Sequence, residues 1–166
     1  TIDVNIQDVA ENALLHQVEK EEAAFGTCIV MEVKTGKIKA IANLGRREDG
    51  TYYEDYNYAI NRMEPGSTFK LVSLIALYRD KLINLNDKVN CQGGSARFGP
   101  YTIRDSHSGL GVLSVKDAFA HSSNVAFAKL IHENYKDKIG SYWEDLHAMG
   151  LDQKTGLGMS GEVKPR

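Results

Sequence analysis

Apolar residues along this chain recur first at three- and four-residue steps. From Val4 to Glu22, the positions Ile6, Val9, Ala10, Ala13, Leu14 and Val18 form the stripe of an amphipathic helix, with Asp3 placed to cap it. The period then shortens. Gly26 to Val33 is a β-branched, strand-like run, Lys34-Thr35-Gly36-Lys37 reads as a turn, and Ile38 to Ala42 reads as the returning strand of a hairpin. Leu44 to Glu64 is polar, tyrosine-rich and without clear period until Pro65-Gly66 ends it. Ser67 to Arg79 follows as a strongly apolar helix carrying Phe69, Leu71, Val72, Leu74, Ile75 and Leu77. A second irregular stretch, Leu85 to Gly111, is broken by Gly-Gly, Gly-Pro and Ser-Gly pairs. Ser114 to Asp117 has the pattern of a capping box, and further helices are predicted from Ser123 to His132 and from Lys138 to Met149, with Gly150 as the stop.

Helix, hairpin, then mostly helices predicts an α+β fold with an incomplete sheet. Two strands alone are marginal in water. Cys28, Val30, Ile38, Ala40 and Ile41 are apolar enough to predict cover on both faces of the hairpin.

Composition narrows the function classes. The 166 residues suit one domain of ordinary size, and 42% hydrophobic with 25% charged residues argues against disorder. A net charge of −2 supplies no basic field for nucleic acid. No run approaches the roughly 18 apolar residues of a membrane span, and the first residues do not resemble a signal peptide. Cys28 and Cys91 are too few for a disulfide framework or a thiolate zinc site, and His16, His107, His121, His132 and His147 show no metal-ligand spacing. No cofactor or metal is expected.

The candidate chemistry starts at Pro65-Gly66-Ser67-Thr68-Phe69-Lys70. A serine at a helix start lies where unpaired N–H groups favour developing negative charge. Lys70, three positions on, shares its face, and a lysine among Phe69, Leu71 and Leu74 loses proton affinity by desolvation, which suits it to take the Ser67 proton. Ten serines and 13 lysines produce about one Ser-x-x-Lys by chance, so for this segment taken alone a simple cap with a solvated lysine is the commoner reading. The second element is His121-Ser122-Ser123-Asn124, which presents a hydroxyl and an amide two residues apart between two predicted helices. Here capping by Ser122 or Ser123 is an equal reading.

Ser-x-x-Lys followed by Ser-x-Asn is the pattern of penicillin-recognising serine acyltransferases. The resemblance extends through the flanks. Thr1-Ile2-Asp3-Val4-Asn5-Ile6-Gln7 resembles the opening of the transpeptidase domain of class B penicillin-binding proteins, Glu64 to Lys70 their nucleophile segment, and His121 to Phe127 their second motif, 55 positions after Ser67. Lys154-Thr155-Gly156-Leu157 with Gly161-Glu162 is similar to a loop of the family, and Glu64 before Pro65-Gly66 leans towards the division-specific, FtsI-type branch.

What the resemblance implies is a penicillin-binding-protein/β-lactamase-like transpeptidase fold, of which residues 1–166 form a part: a mostly helical lobe plus a two-stranded hairpin of a larger antiparallel sheet. It implies Ser67 as the nucleophile on the D-Ala-D-Ala stem peptide of peptidoglycan and on β-lactam antibiotics, and Lys70 as its base. Ser122 would relay a proton to the leaving amine. Asn124 would bind the substrate amide and help hold Lys70, and the Ser67 N–H would form half of an oxyanion hole. Division proteins including a glycosyltransferase are the implied partners, on the extracytoplasmic face of the cytoplasmic membrane, with an upstream membrane anchor and a downstream Lys-Thr/Ser-Gly strand outside these residues. The piece alone is then expected to be inactive and to expose an apolar strand edge.

Two Lys-Thr-Gly tripeptides are present, and context argues against both as that third motif. Lys34-Thr35-Gly36 precedes the nucleophile in a turn, and Lys154-Thr155-Gly156 follows Ser122 by only 32 positions and reads as loop. Tyr52, Tyr53, Tyr56 and Tyr58 read as anchors of their loop rather than as a binding surface, and His121 as a packing or surface residue. Two other functions remain open: a β-lactamase or β-lactam sensor of the same fold, and a non-catalytic interaction module of the division machinery.

Overall fold

The computed structural model describes residues 2–165; Thr1 of the Thr1–Gln7 opening and the terminal Arg166 lie outside the described residues. The chain divides into two units.

The first unit comprises residues 2–62 with Gly156–Val163. Helix α1 (Val4–Lys20) starts where Asp3 accepts hydrogen bonds from the backbone N–H groups of Asn5 (3.1 Å) and Ile6 (3.2 Å), as the capping pattern predicts. Strands β1 (Phe25–Met31) and β2 (Ile38–Arg46) pair antiparallel with Ile29 opposite Ile41, and β3 (Tyr52–Tyr53) adds to the far side of β2. The sheet is therefore three-stranded rather than the bare hairpin expected.

One face of this sheet is covered by α1, where Ala10, Ala40 and Ala42 form the centre and Ile6, Leu14, Cys28 and Val30 surround it. Gly26 makes the approach possible, because a Cβ there would stand 2.5 Å from Val18 Cγ1 and 2.9 Å from Leu14 Cδ1. The opposite face departs from the expectation of two-sided cover: Ile29 and Met31 remain about half exposed, at 47% and 53%.

The hairpin gains partners beyond β3. The Gln7 side-chain amide bonds both backbone groups of Ile41, at 2.9 Å each, as a neighbouring strand would. The tyrosines act as anchors. Tyr52 Oη lies 2.9 Å from Val18 O and 2.7 Å from Ala23 O, tying β3 to the end of α1, and Tyr58 stacks on Phe25 at 4.5 Å.

The second unit comprises Met63–Thr155 with residues 164–165. Helix α2 (Phe69–Arg79) is its axis, with Ala76 and Leu77 fully buried. A tight 3₁₀ turn, Gly66–Thr68, precedes it, so Ser67 lies just ahead of the α-helix rather than as its cap. The stretch expected to be irregular contains β4 (Lys88–Asn90), β5 (Ser95–Phe98), β6 (Tyr101–Arg104) and β7 (Val112–Ser114), paired as β4–β7 and β5–β6. Three or four residues per strand are too few to register as alternation. Helix α3 (Val115–Ala120) opens with Ser114 as the predicted cap: Ser114 Oγ accepts from Asp117 N–H (3.0 Å), while the Asp117 carboxylate takes the Ser114 hydroxyl (2.6 Å) in place of the backbone N–H of a full capping box. Helices α4 (Asn124–Tyr135) and α5 (Ile139–Ala148) complete the lobe. Its core joins Ala76 and Leu77 to Val115, Ala118, Ala126, Leu130, Tyr135, Tyr142 and Leu146.

Neither Lys-Thr-Gly lies on a strand. Lys34–Gly36 turns between β1 and β2, with Gly36 N–H donating to Glu32 O, and Lys154–Gly156 is irregular chain beyond α5. Among the described residues no helix is long and apolar enough to cross a membrane.

Candidate active site

The four residues singled out in the sequence all lie in the second unit. Pro65-Gly66 sets up the first of them. Gly66 has φ +57°, a backbone conformation that side chains with a Cβ avoid, and the turn it starts presents Ser67 to solvent one turn ahead of Lys70. Lys70 is half-buried in the first turn of α2, and its Nζ lies 3.1 Å from Ser67 Oγ.

The second motif joins it across 52 residues. Lys70 Nζ donates to Ser122 O at 2.7 Å and lies 2.8 Å from Ser122 Oγ. Burial lowers the proton affinity of Lys70 below that of an ordinary lysine, and the Asp105 charge partly opposes the effect. A neutral amine has two N–H donors and one lone pair. Ser122 O can only accept, whereas either hydroxyl can donate or accept. The three neighbours fit an ammonium that donates to all of them, and equally a neutral amine that donates to both Ser122 oxygens and accepts from Ser67 Oγ.

Two helix ends meet at the second motif. Ser122 N–H donates to Phe119 O and Ser123 N–H to Ala118 O, both at 2.9 Å, the pair of bonds that closes a helix in a Schellman motif. Ser122 occupies the left-handed position of that motif, φ +52°, where glycine is the usual residue. Its hydroxyl is thus held where the backbone alone would favour no side chain. Ser123 then opens α4, accepting from Ala126 N–H at 3.0 Å while fully buried.

Asn124 does not hold Lys70 as expected. Its Nδ2 donates to Arg104 O at 2.8 Å, whereas the hydrogen bonds of Lys70 go to Ser67 and Ser122. Asp105, beside Arg104, accepts from Ser123 Oγ at 2.9 Å and from Val125 N–H at 2.9 Å. Sequence reasoning missed Asp105 and the Arg104 carbonyl. Asp105 sits in a stretch read as irregular, with no motif of its own, and a carbonyl contact has no side-chain signature. His121 ends α3 as its C-cap, exposed, and acts electrostatically on Asp117. Cys28 and Cys91 are free thiols, and no His, Cys, Asp and Glu cluster among the described residues could hold a metal.

Known proteins resemble this chain. The family model of the penicillin binding protein transpeptidase domain matches residues 26–164. A probable peptidoglycan D,D-transpeptidase, PenA, of Neisseria gonorrhoeae is 29% identical over 98% of this chain, and the peptidoglycan D,D-transpeptidase FtsI of Buchnera aphidicola is 28% identical over 99%. The chain spans only 28% and 29% of the length of those two relatives. Among solved structures, the transpeptidase domain of Burkholderia pseudomallei penicillin-binding protein 3 superposes with a TM-score of 0.81 at 26% identity, covering 99% of this chain and 46% of that one.

Proposed function

The chain belongs to the family of penicillin-binding protein transpeptidase domains, and from that premise we propose that the full-length protein is a serine peptidoglycan D,D-transpeptidase acting in cell division. Ser67 Oγ attacks the carbonyl between the two terminal D-alanines of a stem peptide, and its proton passes to Lys70 Nζ. The Ser67 N–H faces the developing oxyanion as one half of its hole. The C–N bond breaks, Ser122 passes a proton to the departing D-alanine amine and regains one from Lys70, which returns to its neutral form, and Asn124 holds the substrate amide. An ester on Ser67 results. An amine of a second stem peptide attacks that ester, forms the cross-linking amide and returns the proton to Ser67. A β-lactam acylates Ser67 by the same first step, but its leaving nitrogen stays tethered and blocks the second.

The observation that carries this reading is the hold on Lys70, whose Nζ stands 3.1 Å from Ser67 Oγ and 2.8 Å from Ser122 Oγ in surroundings that disfavour its charge. The likeness to PenA and FtsI supports the D,D-transpeptidase activity, and the division role, the extracytoplasmic location and partnership with division proteins including a glycosyltransferase are part of the same proposal. The test is to incubate the full-length protein with a fluorescent penicillin. A covalently labelled band that Ser67→Ala abolishes is expected. No label, or label surviving that substitution, overturns the reading, and rapid turnover of nitrocefin would move it to a β-lactamase.

A further inference from the structure

We propose that Asp105 is the positioning residue of this site, a carboxylate whose two oxygens clamp the start of α4 and so fix the Ser122 hydroxyl and carbonyl against Lys70. The proposal rests on the acyl-transfer reading above and assigns a role to a residue outside both sequence motifs.

The geometry runs through consecutive residues on both sides. Asp105 Oδ2 accepts from Ser123 Oγ and Oδ1 from Val125 N–H, each at 2.9 Å, while Arg104 O takes the Asn124 amide at 2.8 Å. The end of β6 therefore engages three successive residues of the second motif and its helix. Asp105 is itself tied down, its backbone N–H donating to Gly94 O at 2.9 Å. A carboxylate that accepts two hydrogen bonds is worth more than a neutral acceptor in the same place.

The clamp acts where the backbone is least comfortable. Ser122, the residue before the clamped Ser123, is held at φ +52°. Non-glycine residues persist in that region only when their surroundings over-determine them. On one side the Schellman bonds of α3 do so, and on the other the Asp105 clamp. Releasing the second side frees Ser122 to rotate, and both contacts on Lys70 move with it.

The clamp also places a charge. Asp105 is the ionised group whose field reaches Lys70, opposing the desolvation of the amine. Ser67 and Ser122 face Lys70 as neutral hydroxyls, and the titratable neighbour of Ser122 in sequence, His121, acts on Asp117 instead.

The experiment measures the rate of acylation by a fluorescent penicillin across pH, on the full-length protein, with thermal unfolding as the check on folding. Asp105→Asn keeps an acceptor for Val125 N–H and presents an N–H to Ser123 Oγ, so the shape survives while the charge is lost. The acid limb of its rate profile is expected to move to lower pH, because Lys70 then sheds its proton more readily. Asp105→Ala removes the clamp, and its plateau rate is expected to fall about 100-fold, the order of loss that a misplacement of about 1 Å produces. An Asn limb that stays in place or moves to higher pH overturns the proposal. So does a folded Ala variant within threefold of wild type. Absence of Ser67-dependent labelling in the wild-type protein is a different result, which refutes the acyl-transfer reading itself.

Discussion

The left-handed backbone at Ser122 yields the sharpest prediction. Replacing it by glycine or by alanine removes the same hydroxyl, 2.8 Å from Lys70, while both variants keep the carbonyl that Lys70 holds at 2.7 Å. Their effects on acylation should therefore match, a loss of the order of 10²–10⁴-fold if the hydroxyl serves in proton transfer. Their effects on stability should differ. At φ +52° a residue with a Cβ costs roughly 1–2 kcal/mol, from which glycine is free. Glycine gives back roughly 0.5–1 kcal/mol through the greater freedom of its unfolded chain. The balance favours Ser122→Gly over Ser122→Ala by about 1 kcal/mol, or roughly 2–4 °C for a cooperative unit of 150–250 residues. The assay is a pair of measurements on the full-length protein: the thermal midpoint of the transpeptidase transition and the rate of labelling by a fluorescent penicillin. An alanine variant as stable as the glycine variant refutes the strain argument. A glycine variant that acylates within threefold of wild type refutes the role of the hydroxyl.

The remaining predictions concern the base and the core. Because burial lowers the proton affinity of Lys70 and only the neutral amine can take the Ser67 proton, acylation should rise with pH through a limb centred below the ordinary lysine value of about 10.4; a pH–rate profile that is flat or falls as pH rises contradicts this. The same shift makes the folded state bind fewer protons than the unfolded chain between those two values, so stability should rise with pH across that window, and Lys70→Met should remove the slope. Leu77 is fully buried at the centre of the helical lobe, and Leu77→Ala should cost about 2–5 kcal/mol in denaturant unfolding. A loss under 1 kcal/mol would mean that the lobe collapses around the gap.

Much of the local structure was legible because each element repeats its own signal. The stripe of Ile6, Ala10, Leu14 and Val18 spans more than three turns of the 17-residue α1, enough for the 3.6 period to emerge, and Asp3 and Ser114 cap their helices with side chains whose chemistry is local. The strands of the second unit were not legible, since β4 to β7 hold three or four residues each and the Gly99-Pro100 turn joining two of them sits among other glycines. Nor was β3, whose two residues join the sheet by tertiary pairing with Gly45 and Arg46.

The sequence by itself determined which chemical groups are available and how they sit within their own elements: Ser67 one turn before Lys70, and Ser122 beside the residue that opens α4. Those relations depend on the dihedral preferences of a few neighbouring residues, which side chains encode directly. Only the tertiary structure decided that Lys70 meets Ser122 across 52 positions, that Ser122 holds a left-handed backbone, that Asn124 binds Arg104 O rather than the lysine, and that Asp105 grips the start of α4. The reason is physical. Contacts between distant segments follow from how helices pack and where loops cross, so the groups that meet there bear no mark of it in the order of the chain.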